Sequence, residues 1–502
     1  MHVTDDMDRL LDDAMAARVG RGEFLRRAAA LGFSLPAAAS LFAVCGSHVA
    51  AQGAAKGGGA VEILVGFGTG NGPDQIPIQQ QIATRLMAAN HSLAIRFNRV
   101  LDSDVANQKL TLQIAAGHPP QVIMPSGLYG INLFVDKGVW QDLSPRLHAE
   151  GLKLDNLFLP AAVAGARGAG YYGPGSTHVV AIPAVMHGHF IGINEDLFKK
   201  AGVRVPTYGW DDQSWDYQKM LEVAMATTLD SNGHRAGTRG FDPKNITQYG
   251  LARFDADILE RGFGAIFPYN PATKKPGFGT PEYIAGFQMA ADLQNKYHVV
   301  PDDAAAAALS GATGSQDSRQ MAWLSGKMAM AELCTCDLPT WGAVKSFKWS
   351  VVAIPRGPKR RFSYLNLDYG AVVAAGKHNG NVDGAWQVLK GYLLDPGNER
   401  QFSYDSLRGI PALKSNAHVF GDAVKRDYPT LNHTVITESA THGATDAEAW
   451  HPAYTQIDSA TGPFFDKVMS GQMTAAQAAP LMQKAAQKAV DDWFATNKLP
   501  TG

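Results

Sequence analysis

The stretch "VEILVGFGTGNGPDQIPIQQQIATRLMAANHSLAIRFNRV" (residues 61–100) sets the fold class. Residues 61–65 are apolar and strand-like, residues 76–89 repeat an apolar side chain every four positions, and residues 93–100 are strand-like again. Apolar residues spaced by four share one face of a helix. A strand, a helix and a second strand in this order predict an α/β protein with largely parallel sheets.

Further strand-like stretches recur at 179–184, 350–354 and 370–374, and no Pro/Gly/Ser-rich linker separates them. A body of about 440 residues is too large for one core. Two domains connected by several chain crossings therefore fit the sequence better than two domains in series. Near the end, the alanine-rich stretch 474–495 predicts a helix that Pro480 bends or interrupts.

The loop after the first strand, "GFGTGNG" (66–72), has the glycine content of a phosphate-binding loop. A dinucleotide fingerprint, G-x-G-x-x-G, needs glycine where this chain has Asn71 or Pro73, and a P-loop needs a lysine that the loop lacks. The spacing excludes both nucleotide motifs. Two interpretations remain, a surface turn or a loop whose backbone amides meet a polar ligand.

Charge and cysteine content exclude two classes of protein. Lys+Arg number 45 and Asp+Glu 46, so the basic excess typical of nucleic-acid binding is missing. The three cysteines, at 45, 334 and 336, cannot build a disulfide framework. Cys334 and Cys336 are one residue short of a C-x-x-C motif, and side chains two apart on a strand lack good bridging geometry. We expect both to be free or loosely coupled thiols.

The N-terminal stretch "RVGRGEFLRRAAALGFSLPAAASLFAVCG" (18–46) combines a basic flank with an uncharged run over 28–44. That combination predicts an export signal, here residues 1–51 followed by a flexible tether at 52–60, with a buried core helix as the alternative. "GRGEFLR" (20–26) resembles the twin-arginine signal, with glycine in place of its second arginine. Lipidation at Cys45 and cleavage after Ala51 are both open.

Enzyme signatures such as G-x-S-x-G and H-E-x-x-H are missing, and we expect neither catalysis nor a cofactor. His187 and His189 flank a glycine in an extended segment, which places both imidazoles on one side. The pair could bind a metal, hydrogen-bond a ligand or lie in a solvated loop; without a third ligand nearby we expect no metal site. "DSNG" (230–233) is expected to be a turn, because the later ligands of a calcium loop are missing.

Six segments in order resemble the extracellular solute-binding proteins of ATP-binding-cassette (ABC) importers, the family that includes maltose- and other sugar-binding proteins. The resemblance covers nearly all of the chain after about residue 61. The segments are "QKLTLQIAAGHPPQVIMPSGLYGINLFVDKGVWQDLSP" (108–145), "AIPAVMHGHFIGINEDLFKKAGVRVP" (181–206), "YGWDDQSWDYQKMLEVAMATTLDSNG" (208–233), "SGKMAMAEL" (325–333), "WSVVAIPRGP" (349–358) and "GIPALKSNA" (409–417).

The resemblance implies the two-lobed, type II fold of maltose-binding-protein-like solute-binding proteins, with a ligand cleft between the lobes and three hinge crossings. Such proteins close by hinge motion around a solute. The implied crossings lie near 183–187, 366–370 and 408–412. The implied lobes are an N-terminal lobe of 61–185 plus 370–408 and a C-terminal lobe of 186–369 plus 409–502.

The resemblance also implies which residues face the solute. Trp450 and Tyr454, at helical spacing, either pack in a core or form a platform for a sugar ring. The implied ligand-binding residues are Phe67, Thr69, Asn71, Ser126, Tyr129, Met186, His187, Glu332, Thr335, Cys336, Asp368, Tyr369, Arg408, Trp450 and Tyr454.

The identity of the solute is left open by two departures from sugar-binding relatives. Many have a tryptophan near the position of Cys336 and aromatic residues in the loop that is glycine-rich here. A smaller or more polar solute is therefore expected, a monosaccharide, a polyol or a sugar acid. Arg408 would suit a carboxylate, whereas Glu332 and Asp368 would suit sugar hydroxyls.

The implied setting is the periplasm, where a monomer would deliver its solute to the transmembrane subunits of an ABC permease. Two alternatives stay open at this point: an exported binding protein coupled to a sensor, and a secreted carbohydrate-active enzyme.

Overall fold

The structure is a computed structural model of the chain. It describes residues 23, 26, 27, 60–65, 75–100, 103–173, 176–252, 254–310, 322–374, 381–407, 409–445 and 450–500. Apart from isolated positions, the predicted export signal, the tether and the glycine-rich loop lie outside these residues. Within the described part of the chain, we find no helix with the length and apolar character needed to cross a membrane.

The chain divides into two compact units, each assembled from segments that are separate in sequence. Unit 1 comprises the residues up to Leu143 together with 180–182 and 369–398. Unit 2 comprises 144–179, 183–368 and 399–502. The chain therefore passes from one unit to the other several times.

Unit 1 is built on three parallel strands, β1 (Ala60–Val65), β2 (Ala94–Arg99) and β3 (Val122–Gly127). β1 lies between the other two, with Ile63 opposite both Phe97 and Val122. This confirms the parallel pairing predicted from the strand–helix–strand pattern. The helices of unit 1 are Gln75–Ala89, Ser103–Ala115, Leu128–Asn132 and Val382–Leu393.

Helix faces of unit 1 follow the apolar spacing. The helix Gln75–Ala89 buries Ile78 and Ile82, and Val382–Leu393 buries Val388 and Leu389. The two helices approach closely at Gly391, where an added Cβ would lie 2.4 Å from Leu86 Cδ2. Glycine is required there because of this close approach.

Unit 2 is organised around β4 (Ile182–Asn194), a strand that is buried over its full length and enters from unit 1 at its first residue. β4 pairs antiparallel with β9 (Met328–Cys334), β10 (Trp349–Val352) and β12 (Ile410–Pro411). The predicted predominance of parallel pairs is therefore wrong for this unit. A fully buried strand is apolar on both faces in either orientation, so its sequence carries no signal for strand direction.

The remaining strands of unit 2 are short or peripheral. They are β5 (Leu229–Asp230), β6 (Ile246–Leu251), β7 (Tyr269–Asn270), β8 (Lys275–Pro276) and β11 (Leu365–Val372). β9 pairs in parallel with β6, which pairs antiparallel with β5, and β7 and β8 form a separate hairpin. β11 begins in unit 2 and ends in unit 1.

Among the helices of unit 2, Pro281–Asn295 buries Tyr283 and Phe287. The C-terminal helix Ala475–Thr496 runs unbroken through Pro480, so the interruption predicted there is absent from it. The other helices are Ser144–Ala149, Leu154–Leu157, Pro160–Ala166, Ala169–Tyr172, Glu195–Lys200, Tyr217–Thr227, Ala256–Phe263, Asp303–Ser310, Leu338–Gly342, Pro396–Ser406, Val419–Asp427, His433–His442 and Tyr454–Met469, with 3₁₀ turns at Thr335–Asp337 and Lys414–Asn416.

Candidate functional site

The predicted site residues of unit 1 follow the carboxyl ends of parallel strands. Ser126 lies on β3 and Tyr129 in the helix that follows it. In parallel α/β sheets, ligands bind beyond the carboxyl ends of the strands. Phe67, Thr69 and Asn71, which come after β1 in the sequence, lie outside the described residues.

Tyr369 is the last predicted residue of unit 1. It lies on β11 and its side chain is fully buried. The structure thus places this tyrosine in the packed interior of the unit.

The predicted residues of unit 2 converge on β4 and the strands beside it. Met186 and His187 lie on β4, and both side chains are buried. β9 runs antiparallel beside β4 and places Glu332 opposite Ile191. Thr335 and Cys336 follow in the turn at the end of β9.

His187 forms a buried pair with Asp368. The distance between His187 Nε2 and Asp368 Oδ2 is 3.1 Å, and each residue is 1% exposed. The two residues are 181 positions apart in sequence. β4 and the part of β11 that belongs to unit 2 together build this pair.

His189, two residues further along β4, is held at both ring nitrogens. Its Nδ1 lies 2.7 Å from Glu332 Oε1, and its Nε2 lies 3.1 Å from Asn366 Nδ2. Glu332 Oε2 accepts a hydrogen bond of 2.9 Å from the backbone amide of Asp255. Since an amide nitrogen and a carboxylate flank the ring, the neutral imidazole donates from Nδ1 to Glu332 and accepts at Nε2.

Gly188, between the two histidines, has no room for a side chain. Its amide donates to Thr335 Oγ1 at 3.2 Å, and an added Cβ would lie 2.0 Å from Ser439 Oγ. The helix His433–His442 thereby packs directly on the backbone of β4. Glycine at this position lets the helix approach and fixes the strand that carries both histidines.

Cys334 and Cys336 form a disulfide, with Cα atoms 5.1 Å apart. The prediction of free or loosely coupled thiols is therefore wrong. It assumed that both residues lie on one strand, whereas Cys334 ends β9 and Cys336 lies in the 3₁₀ turn Thr335–Asp337. The change of backbone direction turns the two sulfurs toward each other.

Trp450 and Tyr454 lie near the start of the helix Tyr454–Met469. Trp450 is buried, and its Nε1 has no hydrogen-bond partner among the described residues. The neighbouring His451 is fully buried and contacts Tyr269, with ring centroids 4.6 Å apart. Arg408, the predicted cation of this group, lies outside the described residues.

Sequence reasoning missed three residues of the unit 2 network: His189 as a hydrogen-bonded partner, Asn366 and the amide of Asp255. The i, i+2 spacing of the histidines correctly predicted that both rings lie on the same side of a strand. Nothing local to the sequence indicated their partners, since His189 and Asn366 are separated by 177 positions.

This arrangement is suited to hydrogen bonding. Each histidine contacts its own carboxylate, His187 that of Asp368 and His189 that of Glu332, so the two rings have no common hydrogen-bond partner. Within the described residues, no group of three or more His, Cys, Asp or Glu side chains is placed to hold a metal ion. At the "DSNG" turn, Asp230 accepts hydrogen bonds from the amides of Asn232 and His234, as expected of a turn.

Comparison with solved structures identifies the fold. The chain is similar to an ABC substrate-binding protein of Listeria monocytogenes in complex with cycloalternan (16% identity, TM-score 0.67, 87% of this chain and 99% of that chain covered). It is also similar to UspC of M. tuberculosis (21%, 0.62, 86% and 100%) and to the GacH receptor of Streptomyces glaucescens, solved unliganded and with acarbose (17%, 0.64, 86% and 99%). The chain thus has the mixed α/β fold of two-lobed, maltose-binding-protein-like solute-binding proteins, which confirms the predicted fold class.

The model of the bacterial extracellular solute-binding protein family matches residues 81–430. The chain belongs to this family, which confirms the family indicated by its sequence segments. A comparison with curated proteins gave no significant match.

Proposed function

We propose that this protein is the periplasmic binding component of an ABC importer and that it binds a carbohydrate-like solute by hinge closure. Membership of the solute-binding family over residues 81–430 carries the proposal. Support for the solute class comes from the similar proteins of Listeria monocytogenes and Streptomyces glaucescens, which were solved in complex with cycloalternan and acarbose, respectively. The buried hydrogen-bonding groups on β4 and its neighbours add chemistry suited to hydroxyl groups.

The solute is proposed to contact the residues predicted above from both lobes, with lobe limits as given there. In unit 2 these contacts centre on His187, Asp368, Thr335 and the Trp450 region. The protein is proposed to act as a monomer that delivers its solute to the permease, and size-exclusion chromatography with light scattering would test the monomer.

A ligand screen tests the solute class. Neutral sugars, polyols and sugar acids are added to the purified protein, with dipeptides and divalent metals as controls, and thermal unfolding is measured. A solute present at 100 times its Kd adds about 2.7 kcal/mol to the stability of the folded state. If dipeptides or metals raise the melting temperature and no carbohydrate does, the proposed solute class is wrong.

The same samples test whether the protein is a binding protein without turnover. The bound solute is recovered after prolonged incubation and analysed by mass spectrometry. Recovery of unaltered solute supports a binding protein, and a chemically changed solute would show an enzyme.

Export is proposed to depend on the basic and apolar N-terminal segment, by the twin-arginine route. The intact mass of the mature protein distinguishes two processed forms. A lipid-modified N-terminus at Cys45 would show an anchored protein, and a chain beginning after Ala51 would show a free periplasmic protein. Blocking the twin-arginine translocase should retain the precursor in the cytoplasm; unchanged export would contradict that route.

A further inference from the structure

One ring nitrogen of His187 lacks a hydrogen-bond partner within the described part of the chain. Nε2 faces Asp368 at 3.1 Å, whereas the buried Nδ1 contacts neither a donor nor an acceptor there. The ring edge between the two nitrogens faces Gly409, where an added Cβ would lie 2.8 Å from His187 Cε1. Asp368 and Gly409 thus hold the ring in place and leave Nδ1 as its open hydrogen-bonding position.

Asp368 determines what that position can do. A neutral imidazole has one N–H donor and one acceptor nitrogen, and an ionised carboxylate only accepts. The proton therefore resides on Nε2, where it is donated to Asp368, and Nδ1 is left as an acceptor. A buried acceptor without a donor is unfavourable, so a donor supplied by a bound molecule would stabilise the site.

The charges on β4 and the strands beside it favour a neutral donor. Asp368 and Glu332 are both buried, and each is matched to a histidine. Both carboxylates lie on strands next to β4, on the same side of the sheet as the two histidines. A carboxylate on the solute would be repelled by them and could not donate to Nδ1, whereas a sugar hydroxyl can donate without adding charge.

We propose that His187 accepts a hydrogen bond from a hydroxyl of the solute, that Asp368 is the positioning residue that keeps Nδ1 an acceptor, and that the site consequently favours a neutral sugar over the corresponding sugar acid. This inference rests on the proposed carbohydrate-binding function. Among the solutes that the sequence left open, the inference favours a neutral sugar or polyol over the sugar acid that Arg408 would suit.

Paired ligands test the solute preference on the mature protein by isothermal titration calorimetry. Glucose is compared with glucuronate, galactose with galacturonate, and xylitol with xylonate. We expect at least one neutral member to bind about tenfold or more tightly than its acid counterpart. Equal or tighter binding of the acids would overturn the inference while leaving the proposed function intact, whereas a ligand screen in which dipeptides or metals bind and no carbohydrate does would remove the proposed function itself.

Two variants of His187 test its role. In H187N the amide oxygen can occupy the position of Nδ1, and H187L offers no acceptor. We expect H187L to weaken binding of the neutral sugar about tenfold or more and H187N to restore part of the loss. The control H234N changes a histidine that is 46% exposed on a surface turn of the same unit, and its affinity should equal that of the wild type. Wild-type affinity in a folded H187L would overturn the inference.

The imidazole tautomer provides a readout that needs no ligand. Nitrogen-15 NMR of the free wild-type protein should show His187 unprotonated at Nδ1. His451, whose Nδ1 accepts from the amide of Ala453 at 3.1 Å, serves as the reference for that tautomer, and His189 serves for the opposite one.

D368N should let the His187 tautomers mix, because an asparagine amide can donate as well as accept, and should leave His451 unchanged. A protonated Nδ1 of His187 in the wild type would overturn the inference. So would a ligand-bound crystal structure with only a water molecule at Nδ1.

Discussion

Glu399 gives the folded state an unusual dependence on pH. This residue of the helix Pro396–Ser406 is 2% exposed. Its Oε1 accepts from the amide of Leu413 at 2.9 Å, and its Oε2 accepts from Asn416 Nδ2 at 2.7 Å. Burial raises the pKa of this carboxyl from 4.5 to about 7, although the hydrogen bonds from Leu413 and Asn416 oppose the change.

The size and sign of the effect follow from this difference in pKa. The folded state binds the proton of Glu399 more tightly than the unfolded state does, so the contribution of Glu399 to stability is greatest below pH 4.5 and is lost as the pH rises through 7. The gap of about 2.5 pH units, at about 1.36 kcal/mol each, corresponds to roughly 3 kcal/mol of unfolding free energy lost between pH 4.5 and pH 8.

E399Q removes the titrating group and keeps an oxygen that can accept from Leu413. The free energy of unfolding is measured by urea denaturation at intervals from pH 4.5 to pH 8 for the wild type and the variant. We expect the variant to gain about 3 kcal/mol relative to the wild type across this range. Any constant cost of the amide cancels, because only the change with pH is compared.

A surface variant controls for the loss of a negative charge. Glu222 is exposed, and its hydrogen bond with Lys219 lowers the pKa of its carboxyl. E222Q should therefore show no gain relative to the wild type as the pH rises from 4.5 to 8. If the difference between E399Q and the wild type is also constant to within about 1 kcal/mol, the reasoning about the buried carboxyl is refuted.

Three further outcomes are expected. Burial lowers the pKa of His451 to about 4, so its contribution to stability is present above its usual pKa of 6.5 and is lost as the pH falls through 4; in urea titrations H451N should lose that dependence, and an unchanged slope would contradict it. G188A should cost about 1–3 kcal/mol in the same assay, since its Cβ would meet Ser439 Oγ at 2.0 Å, and S439G should restore part of that loss; a fully stable G188A would show that the helix can move away. An alkylating reagent should leave Cys334 and Cys336 unmodified in the untreated protein and should label both after reduction; labelling of Cys334 or Cys336 without reduction, mapped by peptide mass spectrometry, would contradict the disulfide.

Local sequence patterns were sufficient to predict single helices and strands. The helix predicted over 76–89 is Gln75–Ala89, and the strand predicted over 93–100 contains β2, Ala94–Arg99. Apolar spacing reports which face of an element is buried, and that holds whatever the element packs against. The extended segment that carries His187 and His189 was predicted for the same reason.

The sequence alone did not predict which distant segments of the chain pair with each other. The sequence predicts a strand over 179–184 and a separate extended segment at His187 and His189, whereas β4 runs without a break from Ile182 to Asn194. The direction of its neighbours and the pairing of His187 with Asp368 depend on segments up to 181 positions away. The prediction of free thiols failed for a more local reason, because β9 ends at Cys334 and the 3₁₀ turn that follows changes where the sulfur of Cys336 points. Family resemblance supplied what spacing could not, the two-lobed fold.

The two buried titrating groups discussed above, Glu399 and His451, belong to the same unit and act in opposite directions. From pH 4.5 to 6.5, ionisation of Glu399 lowers stability as the pH rises, and deprotonation of His451 raises it, each by about 1.36 kcal/mol per pH unit at most. Their effects should nearly cancel in the wild type over this interval. Relative to the wild type, E399Q alone should therefore gain stability as the pH rises and H451N alone should lose it, whereas the difference between the double variant and the wild type should be nearly independent of pH. A double variant whose difference from the wild type has the slope of either single variant would show that one of the two groups does not titrate as inferred.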